Sequence, residues 1–338
     1  MTNLVPDFAA LRVVVVGDLV ADHYLFGEPT RLSREAPVMV LRHRGEELGA
    51  GGAANAARNL RSLGANVRIL GVVARDKNGR ELLELLERDG IDVSGVEAIP
   101  DWLTPTKTRV LGAEPGRTRQ HVLRIDREPD GLPPEGVRAR VAERLAALNG
   151  QVDAVLLSDY GYGLLGEELA AAARALRAGG TVVVLDPRRR FELFHGLSAI
   201  TPNLGELALA ARSSLEELAN PSELARAAEA VLARCAPELL LVTLGNRGMS
   251  LFARGAPALA VAAAGREAVD VSGAGDTAAA AFTLALAAGL DGRAAMRLAN
   301  AAAGVVVMEP GASACRLDKL RSALPQSPIP SAAEPVRA

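Results

Sequence analysis

The sequence predicts an α/β protein: a doubly wound, mostly parallel sheet flanked by helices, with a small separate β-layer. Three observations carry this expectation. Continuous apolar β-branched runs recur, beginning with "VVVV" at 13–16, as in strands buried on both faces of a parallel sheet. Ala- and Leu-rich segments of helical length separate them, the alternation of a doubly wound fold. Two stretches, 37–48 and 104–127, instead alternate apolar with charged residues, which predicts a half-solvated antiparallel layer apart from the main sheet.

Taken in order, the first strand ends at Gly17-Asp18, and "GAGGAANAARNLRSLGA" (49–65) predicts a glycine-rich turn opening a helix. Strand 66–76 and helix 78–90 follow, the latter stopped by Gly90. The hairpin within 104–127 turns around Pro115-Gly116. Alternation resumes with a strand at 153–161, the helix of "GEELAAAARALRAGG", and strands at 181–188 and 199–203. A helix at 222–235, a strand at 238–245, a hairpin over 248–263 and two Ala-rich helices at 275–289 and 292–308 complete the pattern. One folded domain is expected over 1–324, with a Pro/Ser/Ala-rich disordered tail at 325–338.

Bulk properties exclude several classes. A net charge of -2 over 338 residues argues against broad nucleic-acid binding. Two distant cysteines, Cys235 and Cys315, form neither a disulfide framework nor a zinc pattern. No export signal opens the chain, and the longest apolar run is too short to span a bilayer. A cytoplasmic protein without a membrane partner is therefore expected. Lysine occurs only at Lys77, Lys107 and Lys319 among 38 basic residues.

Ligands of doubly wound sheets bind beyond the carboxyl ends of the strands. Polar residues collect there: Asp18, Asp159-Tyr160, Asp186 to Arg188, Asn203 to Glu206 and Thr243 to Gly245. "GAGD" (273–276) is neither a P-loop nor a dinucleotide fingerprint. As a glycine turn entering a helix, it would aim the amides of Ala274, Gly275 and Asp276, with the helix dipole, at an anion. Asp276 could then take a proton from an attacking hydroxyl, or could simply stabilise its helix; the stretch alone leaves both open. Gly51, Gly52, Asn55 and Asp18 suit either a tight turn or close approach of a polyhydroxyl ligand. In "TPNLGE" (201–206), Asn203 and Glu206 suit either water-mediated Mg²⁺ binding or helix capping.

Together, "GGAANAARNLRSLGA", "TPNLGE" and "DVSGAGDTAAAAF" resemble the ordered signature of ribokinase-like (PfkB-type) carbohydrate kinases, over roughly residues 11–323. Segment 17–40, "TKTRVLG", "VLRIDRE", "LLSDYGYG" and "NAAAGVVV" are most similar, within that family, to kinases that phosphorylate the anomeric hydroxyl of D-glycero-β-D-manno-heptose 7-phosphate. The resemblance implies transfer of the γ-phosphoryl group of ATP to a sugar or sugar-phosphate hydroxyl. Asp276 would be the base, with Gly273, Ala274 and Gly275 as the anion hole. Asn203, Leu204, Gly205, Glu206, Thr243, Gly245, Gly248 and Asn300 would hold ATP, Asn203 and Glu206 also serving Mg²⁺ through water. Asp18, Asp22, Gly51, Gly52, Asn55, Lys107, Arg124 and Asp186 would hold the sugar and its phosphate. Asp270 and Ser272 would help bind a monovalent cation such as K⁺. The resemblance makes the β-layer of 37–48 and 104–127 a small β-sheet lid, which would exclude water and form a homodimer contact.

The sequence departs from heptose kinases at three places. "SDYGYG" carries Tyr162 where a lysine is usual, "DPRRRF" carries Arg188 for lysine, and "SREAP" carries Arg34 for proline, a cation expected near the sugar. These changes keep open a different acceptor (ribose, fructose, a sugar 1-phosphate or a nucleoside) and a non-catalytic sugar or nucleotide sensor. No H-x-G-H motif of a nucleotidyltransferase occurs, so no such half is expected.

Overall fold

A computed structural model describes residues 5–113, 117, 119–264, 268–309 and 311–324; the turn expected at Pro115-Gly116 and the tail expected at 325–338 lie outside them. The main sheet is organised around β1 (Arg12–Gly17). Its valines alternate between two cores, Val13 and Val15 on one face and Val14 and Val16 on the other. Parallel neighbours β4 (Asn66–Ala74) and β8 (Ala154–Ser158) flank it. Beyond β4 lies β5 (Asp92–Ile99). Beyond β8 come parallel β9 (Val182–Asp186), β10 (Ala199–Ile200) and β11 (Leu239–Thr243), then antiparallel β12 (Met249–Phe252) and β13 (Leu259–Val261).

One core packs helices α1 (Ala53–Ser62), α2 (Lys77–Arg88), α7 (Ala274–Ala287), α8 (Gly292–Val306) and α9 (Leu317–Ala323) against the sheet. The other packs α3 (Glu135–Ala146), α4 (Glu167–Ala178), α5 (Leu204–Ala211) and α6 (Pro221–Cys235). Every residue from Asp276 to Ala285 of α7 is buried, so this helix has no solvent face. Burial of Phe282 and Leu284 contributes about 1.5–3 kcal/mol each, fixing α7 to the frame.

The expected lid is a second sheet of order β3-β2-β6-β7, with β2 (Leu19–Leu32), β3 (Met39–Gly52), β6 (Thr106–Gly112) and β7 (Gln120–Arg127). Only Asp18 separates β1 from β2, and β3 runs directly into α1, so the lid grows from the carboxyl edge of the main sheet. Register places Asp22, Lys107 and Asp126 in one row and Tyr24, Arg109 and Arg124 in the next, on the same face. The opposite face carries Leu25, Val110, Leu123 and Ile125.

The sequence did not foretell β2, β5, α3 or α9. Residues 49–52, expected as a turn, are instead the paired end of β3. Gly51 lets the strands close over Asp22: a Cβ there would lie about 3.0 Å from the Asp22 carboxylate, which would have to give way. A Cβ on Gly52, at φ 58°, would meet the Asp18 carbonyl oxygen at 2.6 Å.

Candidate active site

Asp276 sits in the first turn of α7 and is 4% exposed. The helix opens on Gly273 with φ 78°, and a Cβ there would lie 2.5 Å from Asn55 Nδ2. Glycine thus allows both the turn and the close approach of α1 to α7. No side chain caps α7, which leaves its dipole free to act on a ligand. One expected donor is turned inward: the Ala274 N–H donates to the Val271 carbonyl at 3.3 Å.

The first turn of α7 divides two environments. On one side, Ala274 and Gly275 border a cavity of about 960 Å³. Asn203, Leu204, Gly205, Thr243, Gly245, Gly248 and Asn300 line it, so the structure unites these expected nucleotide residues. Leu215, Val271 and Val307 add apolar walls that the sequence did not single out. Asn300 donates to the Ala262 carbonyl at 2.8 Å and so fixes the wall beyond β13.

On the other side, Asp276 meets the lid and α1. Its Oδ2 accepts from Asn55 Nδ2 at 2.7 Å, and its Oδ1 from the Tyr160 hydroxyl at 2.6 Å. Burial pushes this carboxyl up to about 6, while the two hydrogen bonds pull it down. Asp22 raises it further and Lys107 lowers it. The buried Asp22 accepts from Arg109 at 2.6 Å, and Lys107 lies 5.1 Å from the Tyr160 ring centre. Burial, against the pull of Asp22, also lowers the Lys107 ammonium below its ordinary value.

Further along the edge, Asn203 and Glu206 form a reciprocal capping box on α5, at 2.9 and 2.8 Å. Glu206 also accepts from Arg188 at 3.4 Å. Burial raises Glu206. Asp186, which accepts from Thr201 at 2.9 Å, is pushed well up by burial and then by the charges of Glu206 and Asp276. While Glu206 is already paired with Arg188, Asp186 thus feels the charges of two further carboxylates, which a divalent cation at this edge would relieve. Among the described residues no group of three or more His, Cys, Asp or Glu side chains could hold one directly. Asn203 and Glu206 would therefore reach Mg²⁺ through water, its preferred mode.

Other expected residues have different surroundings. Asp18 accepts the amides of Tyr160, Tyr162 and Leu164 at 2.9, 3.0 and 3.4 Å, which anchors the loop after β8. Asn55 reaches the Asp276 carboxylate rather than open space. Arg124 is on the inner lid face but exposed, paired with Asp126 at 2.9 Å. Asp270 accepts the amides of Ser272 and Gly311 at 2.8 and 3.0 Å, clipping together the segments before α7 and after α8. Arg34, expected near the sugar, is exposed on the turn between β2 and β3. Ten residues of strand from Asp22 to Leu32, roughly 33 Å, keep it from the site. Tyr162 donates to Glu128 at 3.0 Å and lines a second cavity of about 400 Å³ with Tyr160, Arg188 and Arg189. Tyr160 and Arg109 were not foreseen as site residues; the position of Tyr160 at a strand's carboxyl end was the available signal.

The model of the pfkB family carbohydrate kinases matches residues 10–320. The chain belongs to this family. This carbohydrate kinase is 38% identical over 302 residues to the bifunctional protein HldE of Pelobacter propionicus, covering 89% of the chain and 60% of that protein. It is 40% identical over 327 residues to the bifunctional protein HldE of Methylococcus capsulatus, covering 95% of the chain and 65% of that protein. The kinase thus spans a little under two thirds of the length of these relatives. The fold matches the ribokinase of Arabidopsis thaliana, solved with ribose and ATP, at a TM-score of 0.72 and 21% identity, covering 94% of the kinase and all of that chain. The family is that of phosphotransferases with an alcohol group as acceptor, and ATP as donor follows from membership. Among the described residues no helix is long and apolar enough to cross a membrane.

Proposed function

We propose that this kinase transfers the γ-phosphoryl group of ATP to the anomeric hydroxyl of a phosphorylated sugar, D-glycero-β-D-manno-heptose 7-phosphate being the acceptor favoured. The observation that carries the reading is the division made by α7. Its Ala274-Gly275 end borders the large cavity, while Asp276 faces the lid, Tyr160 and Asn55. ATP in the cavity would bring its γ-phosphoryl group to the helix N-terminus. An acceptor under the lid would then present its hydroxyl to Asp276, which takes the proton as the oxygen attacks. The α7 dipole would meet the charge spread over the phosphoryl oxygens. Mg²⁺, held through water by Asn203 and Glu206, would neutralise part of that charge. A monovalent cation at Asp270 and Ser272 would draw on lone pairs that the two backbone amides leave free.

A phosphorylated acceptor is supported by Lys107, Arg109 and Arg124 on the inner lid face. The similarity to HldE proteins at 38–40% identity supports the same choice. Tyr162, one of the departures that keep a sensor open, bonds Glu128, and Asp276 keeps its bonds to Asn55 and Tyr160. We further propose one kinase domain over 1–324, acting in the cytoplasm as a homodimer through the lid. The test is an ADP-release screen with MgATP over free sugars, sugar 1-phosphates, nucleosides and heptose 7-phosphate. Turnover is expected to be greatest with heptose 7-phosphate; activity on free sugars alone overturns the acceptor, and silence throughout overturns catalysis.

A further inference from the structure

Both oxygens of the Asp276 carboxylate already have protein donors, and the two donors come from different elements. Asn55, on α1, serves Oδ2, and Tyr160, from the loop after β8, serves Oδ1. Two bonds on two oxygens fix rotation of the carboxylate plane, and each oxygen keeps a further lone pair for an acceptor hydroxyl. Tyr160 is itself held on three sides. Its N–H donates to Asp18 at 2.9 Å, Lys107 lies over its ring, and Gly52 packs against it so closely that a Cβ would be 3.4 Å from the ring. Burial, and next the charge of Asp276, keep the Tyr160 proton on its phenol, so the hydroxyl is a committed donor.

The geometry points to Tyr160 as a positioning residue for Asp276: its hydroxyl orients the carboxylate and stabilises its charged form. This inference rests on the reading of Asp276 as the base. The groups facing Asp276 are Asp22 from β2, Lys107 from β6, Tyr160 after β8 and Asp186 from β9; α1 contributes the neutral Asn55. Loss of a donor to a carboxylate raises its pKa.

Tyr160→Phe keeps the ring and its contact with Lys107 but removes the donor. Without any substrate, carbon NMR of protein labelled at aspartate carboxyls, with Asp276→Asn assigning the signal, should show the Asp276 midpoint raised by about one pH unit. With MgATP and the acceptor giving most ADP in the screen above, kcat should fall about tenfold or more. The acceptor KM should stay within about twofold at the pH optimum, and the acid limb of kcat/KM should move up with the NMR midpoint. An unmoved midpoint overturns the inference. So does a gain in kcat/KM with lower acceptor KM, since the hydroxyl then competes with the substrate. Asp276→Asn separates the two claims: if it turns over normally, base and positioning role both fall. If it is inactive while Tyr160→Phe behaves as wild type, only the positioning role falls.

Discussion

Asp276 carries a charge that its surroundings resist. Burial outweighs two hydrogen bonds and lifts the carboxyl to about 6. A base must be deprotonated, so activity should rise as pH increases through about 6, read as the acid limb of a kcat/KM profile. Asp276→Asn should lower kcat by about 10²–10⁴ while leaving ATP affinity within a few-fold, measured by ADP release and calorimetry. Near-normal turnover would end the assignment. The same shift has a stability consequence. The folded pKa lies above the unfolded one, so the native state binds more protons between about 4 and 6. Stability from this group is therefore lost as pH rises through that window. Asp276→Asn can keep both bonds, accepting from Asn55 and donating to the Tyr160 oxygen. Its melting temperature should exceed that of the wild type by a few degrees at pH 7 and converge with it below pH about 4. At this scale Asp276 was legible as a candidate because glycine and acid at a helix start form a local signal; the family resemblance, not that signal, favoured a base over a helix-stabilising acid. Tyr160 and Arg109 were not, because their partners lie 116 and 87 positions away. Asn203 and Glu206 were read as capping or metal-serving, and the capping geometry is present.

At the scale of elements, the entry to α7 makes two neighbouring glycines behave differently. Gly273→Ala combines a left-handed backbone with a Cβ 2.5 Å from Asn55 Nδ2, so it should destabilise by about 1–3 kcal/mol and displace a donor of the base. Gly275 has ordinary backbone and nothing within 4 Å of a Cβ. Gly275→Ala should hold the wild-type melting temperature and raise the KM for ATP, because its methyl enters the space proposed for phosphates. Equal effects in both assays would contradict this division of roles. The inner strands of the main sheet were legible because burial on both faces writes uninterrupted apolar runs, while the edge strand β5, mostly half-buried, writes no such run. The lid was legible only in part. Irregularities between Phe26 and Gly27 and between Pro29 and Arg31 break the two-residue period of β2, hiding it from the pattern that revealed 37–48 and 104–127.

For the whole molecule, the lid's outer face leaves Leu123 55% and Ile125 48% exposed, in register with Val110 and Thr108. Apolar sheet faces of this kind mark association sites. Sedimentation at micromolar concentration should give a dimer, and Leu123→Asp with Ile125→Asp should give a monomer; a monomeric wild type removes the lid contact from the proposal. The doubly wound architecture was legible because strand–helix alternation recurs along the chain, even with β5, α3 and α9 unforeseen. The bond set around Asp276 also bears on how the protein comes into being. Asn55, Tyr160 and Asp276 join segments 221 and 116 positions apart. Such long loops close late, after local helices have formed. On dilution from denaturant, regain of ADP release should trail recovery of the helical circular-dichroism signal. On the ribosome, a chain that ends just before α7 has every described strand but lacks Asp276. If Asp276 is the base, catalytic competence can arrive only once α7 has been made and has met Asn55 and Tyr160.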